Sequence, residues 1–149
     1  MIKYYFLLTA ILISLSSFSQ TDITKSEAYF SKASSLFDTE NYETAILYCD
    51  SAITFNAENL EAYAYRGVCK FKLKRFEKAI KDFDLALILN DGYAEIYYYR
   101  GLSKLELGAN TQACEDLYEA YNLDFKDVLE IIEANCDLKD DSKKEKKKK

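Results

Sequence analysis

The chain has 149 residues, room for one domain of ordinary size and not for two. Apolar residues make up 49% and charged residues 30%, the balance of a globular chain, with a formal net charge of −5. Histidine is absent, which excludes a Ser-His-Asp triad, a Cys-His nucleophile and any His-ligated metal site; proline is absent too, so helix breakers are scarce and an all-α fold is expected.

The first residues form a unit of their own. Lys3 precedes an apolar run from Tyr4 to Leu15, and Ser16-Ser17-Phe18-Ser19 comes next. A short basic start, an apolar core and a small-residue exit are the marks of a secretory signal peptide. Residues 1–19 are therefore expected to be a leader cleaved after Ser19, and 20–25 a linker. The run falls short of the roughly 20 apolar residues a spanning helix needs; an uncleaved anchor is the alternative. Export would place Cys49, Cys69, Cys114 and Cys136 in an oxidising compartment. No pair of them forms a CxxC motif, so neither a thioredoxin-like site nor a zinc knuckle has support.

A 34-residue repeat organises residues 26–127. Glu61-Ala62-Tyr63-Ala64-Tyr65-Arg66-Gly67 is nearly copied in Glu95-Ile96-Tyr97-Tyr98-Tyr99-Arg100-Gly101, and the windows 60–93 and 94–127 share 11 of 34 residues without gaps. Tyr29, Ala33, Ala45, Cys49 and Ala52 lie in step beneath Tyr63, Gly67, Ala79, Phe83 and Ala86, so 26–59 is a third, more diverged copy. Each copy reads as two amphipathic helices, in the second copy about Glu61 to Leu73 and about Phe76 to Asn90. Gly67 is expected opposite Ala79, because antiparallel helices approach closely only where side chains are tiny. One such pair cannot bury its apolar faces, whereas a stack of pairs can.

An aromatic residue, a Gly or Ala four places on, an Ala twelve after that, then a bulky apolar residue and another Ala, all at this period, resembles the tetratricopeptide repeat. The resemblance covers 26–127 as three repeats, 26–59, 60–93 and 94–127, and implies an α-solenoid. Two positions depart from the family pattern. Its usual Trp is Tyr29, Tyr63 and Tyr97 here, and its usual Pro near the end of the second helix is Ala57, Asp91 and Phe125. After the third repeat, residues 128–138, with Val128, Leu129, Ile131, Ile132 and Cys136, read as a helix that closes the stack.

On that arrangement Cys49 and Cys69 lie on consecutive helices, as do Cys114 and Cys136, at separations of 20 and 22 residues. Disulfides Cys49–Cys69 and Cys114–Cys136 are expected; the alternative is that all four are small buried hydrophobes. The second pair also resembles a feature of small exported bacterial tetratricopeptide proteins, in which a run like Ala113-Cys114-Glu115-Asp116 is matched by a Cys on the last helix.

The resemblance implies that an extended peptide or protein segment binds in a concave groove lined by the first helices. Carried over position by position, the groove comprises Glu27, Phe30, Ser34 and Phe37; Glu61, Ala64, Val68 and Phe71; and Glu95, Tyr98, Leu102 and Leu105. It has an apolar floor and a line of three glutamates, and either the floor is free to bind or Phe37, Phe71 and Leu105 are covered by neighbouring repeats. The glutamates are either a recognition edge or solvated charge. Chaperone-binding members of the family hold a terminal carboxylate with Lys, Arg and Asn. The corresponding positions here are Glu27, Glu61 and Glu95, and Ser34, Val68 and Leu102, so no such clamp is expected and basic or apolar segments fit better than acidic ones.

Charge agrees with that expectation. Residues 20–138 carry 22 acidic and 12 basic side chains, net −10, which argues against duplex nucleic acid as a partner. Residues 139–149 carry seven Lys against three acids, net +4, and are expected to be a disordered tail, either simply solvated or weakly touching an anionic surface or the acidic body. Carboxylate pairs such as Glu115/Glu119 and Asp82/Asp84 are expected as solvated charge. No phosphate loop, metal-spaced cluster or activated nucleophile is present, so neither catalysis nor a cofactor is expected. The sequence thus points to an exported, periplasmic or outer-surface bacterial scaffold or adaptor that binds protein. A structural or assembly subunit of an envelope complex is the alternative, and a redox-responsive protein a third reading.

Overall fold

Helix ends in this chain are set by a left-handed residue recurring every 34 positions. Glu40, Lys74 and Gly108 have φ of 59°, 58° and 77°. Each closes a helix in the same way: Lys74 N–H bonds to Phe71 O while Arg75 N–H bonds to Lys70 O, and Gly108 and Ala109 repeat the pattern on Leu105 and Lys104. Only the third copy uses glycine, the one residue that adopts this conformation without steric cost. Asparagine side chains start the next helices in the first half of the chain, Asn41 accepting from Thr44 N–H and Asn59 from Ala62 N–H.

The structure is a computed structural model that describes residues 2–136, with side chains from Gln20 onward. In chain order the elements are α1 Ile2–Asp38, α2 Tyr42–Phe55, α3 Leu60–Lys72, α4 Phe76–Leu89, α5 Ala94–Glu106, α6 Asn110–Asn122, a 3-10 turn Lys126–Val128, and α7 Leu129–Asn135. The described residues contain no strand, and each helix packs on its successor, giving three helical hairpins and a short closing helix. This is the expected all-α solenoid.

Three boundaries differ from expectation. Residues 20–25 are helix rather than linker, continuous with α1, because no Gly or Pro interrupts residues 1–38. The closing segment is a 3-10 turn followed by α7, which stops at Asn135. The expected leader at 1–19 lies outside the residues whose side chains are described, and the Lys-rich tail at 139–149 lies outside the described residues altogether.

The core repeats with the sequence. Ala45, Ala79 and Ala113 are wholly buried, as are Ala52, Ala86 and Ala120, and so are Cys49, Phe83 and Leu117 at one shared repeat position. Gly67 meets Phe83 most closely: a Cβ built on Gly67 would lie 2.6 Å from the Phe83 ring. On Gly101 it would lie 3.0 Å from Leu117 and 3.2 Å from the carbonyl of Ala113, the repeat equivalent of Ala79. The first hairpin has Ala33 and Cys49 at these places. A larger residue on the second helix therefore goes with glycine on the first. Ser26 adds a polar tie among α1, α2 and α3, donating to Ala52 O at 2.8 Å and accepting from Asn59 Nδ2 at 2.9 Å.

Asp82 and Asp116, at the same repeat position, are buried rather than solvated. Arg66 donates to Asp82 from Nε at 3.0 Å and from Nη2 at 2.7 Å, and from Nη1 to Asp50. Lys70 lies 2.6 Å from the same Asp82 carboxylate. The next copy repeats this with Arg100, Lys104, Asp116 and Asp84. Each arginine thus pins its own helix to the second helix of its own hairpin and to that of the hairpin before. Burial opposes the Arg66 charge, but the bonds to Asp82 and Asp50 outweigh it and its pKa is raised. In the first hairpin the corresponding residues are Lys32 and Tyr48, and the ammonium lies over the ring at 5.7 Å.

Asp82→Ala, leaving two half-buried cations without their partner, is expected to cost about 3–5 kcal/mol in urea unfolding. Gly67→Ala should destabilise by about 1–3 kcal/mol, since the helix-propensity gain of about 1 kcal/mol does not offset a clash with an enclosed ring. Gly101→Ala should cost less, because its tightest contact would be 3.0 Å rather than 2.6 Å and is to a Leu117 side chain that can shift, although the Ala113 carbonyl at 3.2 Å cannot; thermal melts of the two variants side by side check the order.

Candidate peptide-binding groove

The first helices of the three hairpins, α1, α3 and α5, carry every residue of the expected groove. Glu27, Glu61 and Glu95 are exposed, while the floor positions from Phe30 to Leu105 are all half-buried. Glu61 and Glu95 lie in the first turns of α3 and α5, where the helix dipole favours an acid.

The floor divides into two kinds of residue. Phe37 packs edge-on against Tyr65 of the next hairpin, with ring centroids 5.5 Å apart, and Phe71 does the same to Tyr99 at 5.5 Å. Leu105 joins the cluster formed by Leu117, Val128 and Ile132 under the closing helix. These three seal junctions between units. Tyr98 is likewise engaged, 5.0 Å from the Phe125 ring. Phe30 crosses Tyr65 edge-on at 5.0 Å. Ala64, Val68, Ser34 and Leu102 form the stretch between the junctions.

A pocket opens between the hairpins. Phe37, Ala64, Val68 and Glu95 line this space of about 240 Å³ together with Tyr65, Phe83, Ile96 and Tyr99. The last four escaped the sequence reading, although Tyr65 and Tyr99 are copies 34 positions apart and lie next to the groove positions Ala64 and Tyr98. Burial of Tyr99, with Tyr98 and Glu95 nearby, raises its phenol pKa. Among the described residues no group of three or more Cys, Asp or Glu side chains is placed to hold a metal ion.

Similarity to other proteins follows the repeat. Residues 26–59 and 60–93 each match a family model described as tetratricopeptide repeat. No curated protein matches the sequence. Among solved structures, the first such domain of Spaghetti (RPAP3) bound to the HSP90 peptide SRMEEVD superposes with a TM-score of 0.70 at 24% identity, covering 75% of this chain and 94% of that one. The translocator chaperone SycD of Yersinia enterocolitica type III secretion gives 0.69 at 18% identity, over 72% and 81%. The domain of Arabidopsis OM64 gives 0.67 at 24%, over 68% and 84%. At these identities the likeness is one of fold.

The cysteines divide. Cys114 and Cys136 are bridged, with Cα atoms 5.7 Å apart, and the bond ties the seven-residue α7 to α6. A helix that short does not hold its shape alone. Cys49 and Cys69 are free thiols, both fully buried, and not the second bridge expected from sequence. Cys49 stands at the repeat position of Phe83 and Leu117, whose side chains meet the small residue of their own hairpin, and Cys69 at that of the buried Ser103. Both serve as small core residues. Burial pushes the Cys49 thiol up to about 12 and the Cys69 thiol to about 11. Alkylation at pH 8 should therefore label neither thiol in the native protein and both after denaturation. Reducing Cys114–Cys136 should lower stability by about 3 kcal/mol; mass spectrometry and urea titration check the two outcomes.

Proposed function

This chain is a tetratricopeptide-repeat protein, and from that premise we propose that it is a non-catalytic scaffold or adaptor holding an extended protein or peptide segment in the groove of α1, α3 and α5. The observation that carries the proposal is the half-buried floor between the sealed junctions, at Ser34, Ala64, Val68 and Leu102, with the acids Glu27, Glu61 and Glu95 beside it. Half-buried apolar residues in a concave row are surface that a partner can still cover.

The proposed ligand is basic or apolar. Structurally similar domains are described as bound to HSP90 and HSP70 peptides ending in EEVD. In this chain three glutamates stand on the groove, so an acidic end meets like charge. We place the protein outside the cytoplasm, in a bacterial envelope, on the strength of the leader-like start and the Cys114–Cys136 bridge, since structural disulfides persist in oxidising compartments.

One observation favours the alternative of an assembly subunit. Leu85, Ile88 and Leu89 on α4 are exposed, Ile88 by 78%. The flanking copies have Ser51 and Thr54, and Glu119 and Asn122, where α4 has Leu85 and Ile88. This patch lies on a second helix, apart from the groove.

Affinity capture from envelope extract separates the two. Replacing Phe30 and Leu102 together by Ser should reduce partner retention roughly tenfold, a loss of about 1.4 kcal/mol, with the fold intact by circular dichroism. Undiminished retention by that variant, together with loss on Ile88→Lys, would move the function to the α4 patch.

A further inference from the structure

The geometry points to the pocket between the first, second and third hairpins as an anchor site for one bulky apolar side chain of a bound segment, with Glu95 selecting a Lys or Arg beside that anchor. This deepens the peptide-binding reading and rests on it. Three observations carry it.

The first is size. At about 240 Å³ the pocket is smaller than the roughly 300–1,000 Å³ of small-molecule sites, and suits one large side chain rather than a metabolite. The second is the lining. Ala64, Tyr65 and Val68 line it from α3, and Tyr99 lines it from α5 of the next hairpin. The two tyrosine rings are already held by Phe37 and Phe71, so little side-chain entropy remains to be lost on binding.

The third is charge sorting. The cations Arg66, Lys70, Arg100 and Lys104 on α3 and α5 all turn to Asp82 and Asp116. Glu95, at the pocket, has no ion-pair partner among the described residues. A carboxylate at the edge of an apolar cleft, with its own helix's cations committed elsewhere, complements an incoming ammonium or guanidinium. The ligand class is therefore a peptide with an aromatic or leucine residue adjoining a basic one.

The test uses the full chain and synthetic nine-residue peptides, followed by fluorescence anisotropy. The reference probe has one central Phe flanked by Lys in a Ser/Ala frame. Replacing that Phe by Ala should weaken binding about tenfold or more. Ala64→Leu, which fills the pocket, should cause a similar loss for the Phe probe. Glu95→Gln should weaken the Lys-flanked probe about threefold and leave a Ser-flanked probe unchanged, and the difference should shrink at high salt. Melting curves confirm that each variant is folded; if Ala64→Leu is not, Val68→Met fills the same space.

Undiminished binding of the Phe probe by a folded, filled variant overturns the proposal, as does failure of the wild type to bind it at millimolar concentration. A concentration-dependent dimer abolished by Ala64→Leu also overturns it, by assigning the pocket to a second copy. The broader reading fails separately. If the filled variant binds normally and the Phe30/Leu102 variant does not, the groove stands and the anchor falls; if both bind normally, both fall.

Discussion

Everything in this molecule depends on how closely the two helices of a hairpin approach one another. The distance is set at one pair of positions, 33/67/101 on the first helix against 49/83/117 on the second. Where the second helix carries Phe83 or Leu117, the first carries glycine; where it carries Cys49, alanine suffices. With helices this near, wholly buried alanines at 45, 79 and 113 and at 52, 86 and 120 fill the remaining contact. Protein interiors are packed without slack, so the rest of the stack takes its spacing from these residues.

Close packing also leaves room for buried charge only where it is fully neutralised. Asp82 meets two cations, as does Asp116, and each arginine reaches a second carboxylate on the preceding hairpin. A buried ion cluster contributes little net stability compared with apolar packing, yet it is costly to break, so it favours one register of stacking over others. The same arrangement has a consequence at a distance. Cations drawn to the aspartates are not available to the groove, and its glutamates are left to face solvent or a ligand.

The fold was legible because a solenoid writes its contacts into the period. Tyr63, Gly67, Ala79 and Ala86 recur in step, and the spacing alone implies hairpins that stack. What the period could not convey was which face each residue turned. Asp82 and Asp84 look alike in sequence, two residues apart on one helix, but one is buried beneath Arg66 and the other is half exposed beneath Arg100. Phe37 and Phe71 read as groove residues from their spacing, yet they close junctions through Tyr65 and Tyr99, which are aromatic contacts between copies rather than within one. The expected Cys49–Cys69 bridge fails for a related reason. Placement on adjacent helices does not by itself make a bridge, and the repeat position of Cys49 belongs to the interior of its own hairpin.

Specificity in such a stack draws on departures from the repeat, since the alanines that recur at 45, 79 and 113 and at 52, 86 and 120 are committed to architecture. The departures concentrate in the middle. Phe83, a wall of the pocket, replaces Cys49 and Leu117, and Ala64 replaces the larger Phe30 and Tyr98 of the flanking copies. A small residue on the floor, flanked by aromatic rings from two junctions, is what opens a cleft there. The ends of the stack are differently occupied, the first hairpin holding a cation over Tyr48 in place of an ion cluster, and the third locked by a disulfide to its closing helix. The pocket therefore lies at the centre of the stack. There both neighbouring hairpins support the walls, and a change of side-chain size at Ala64 alters the shape most.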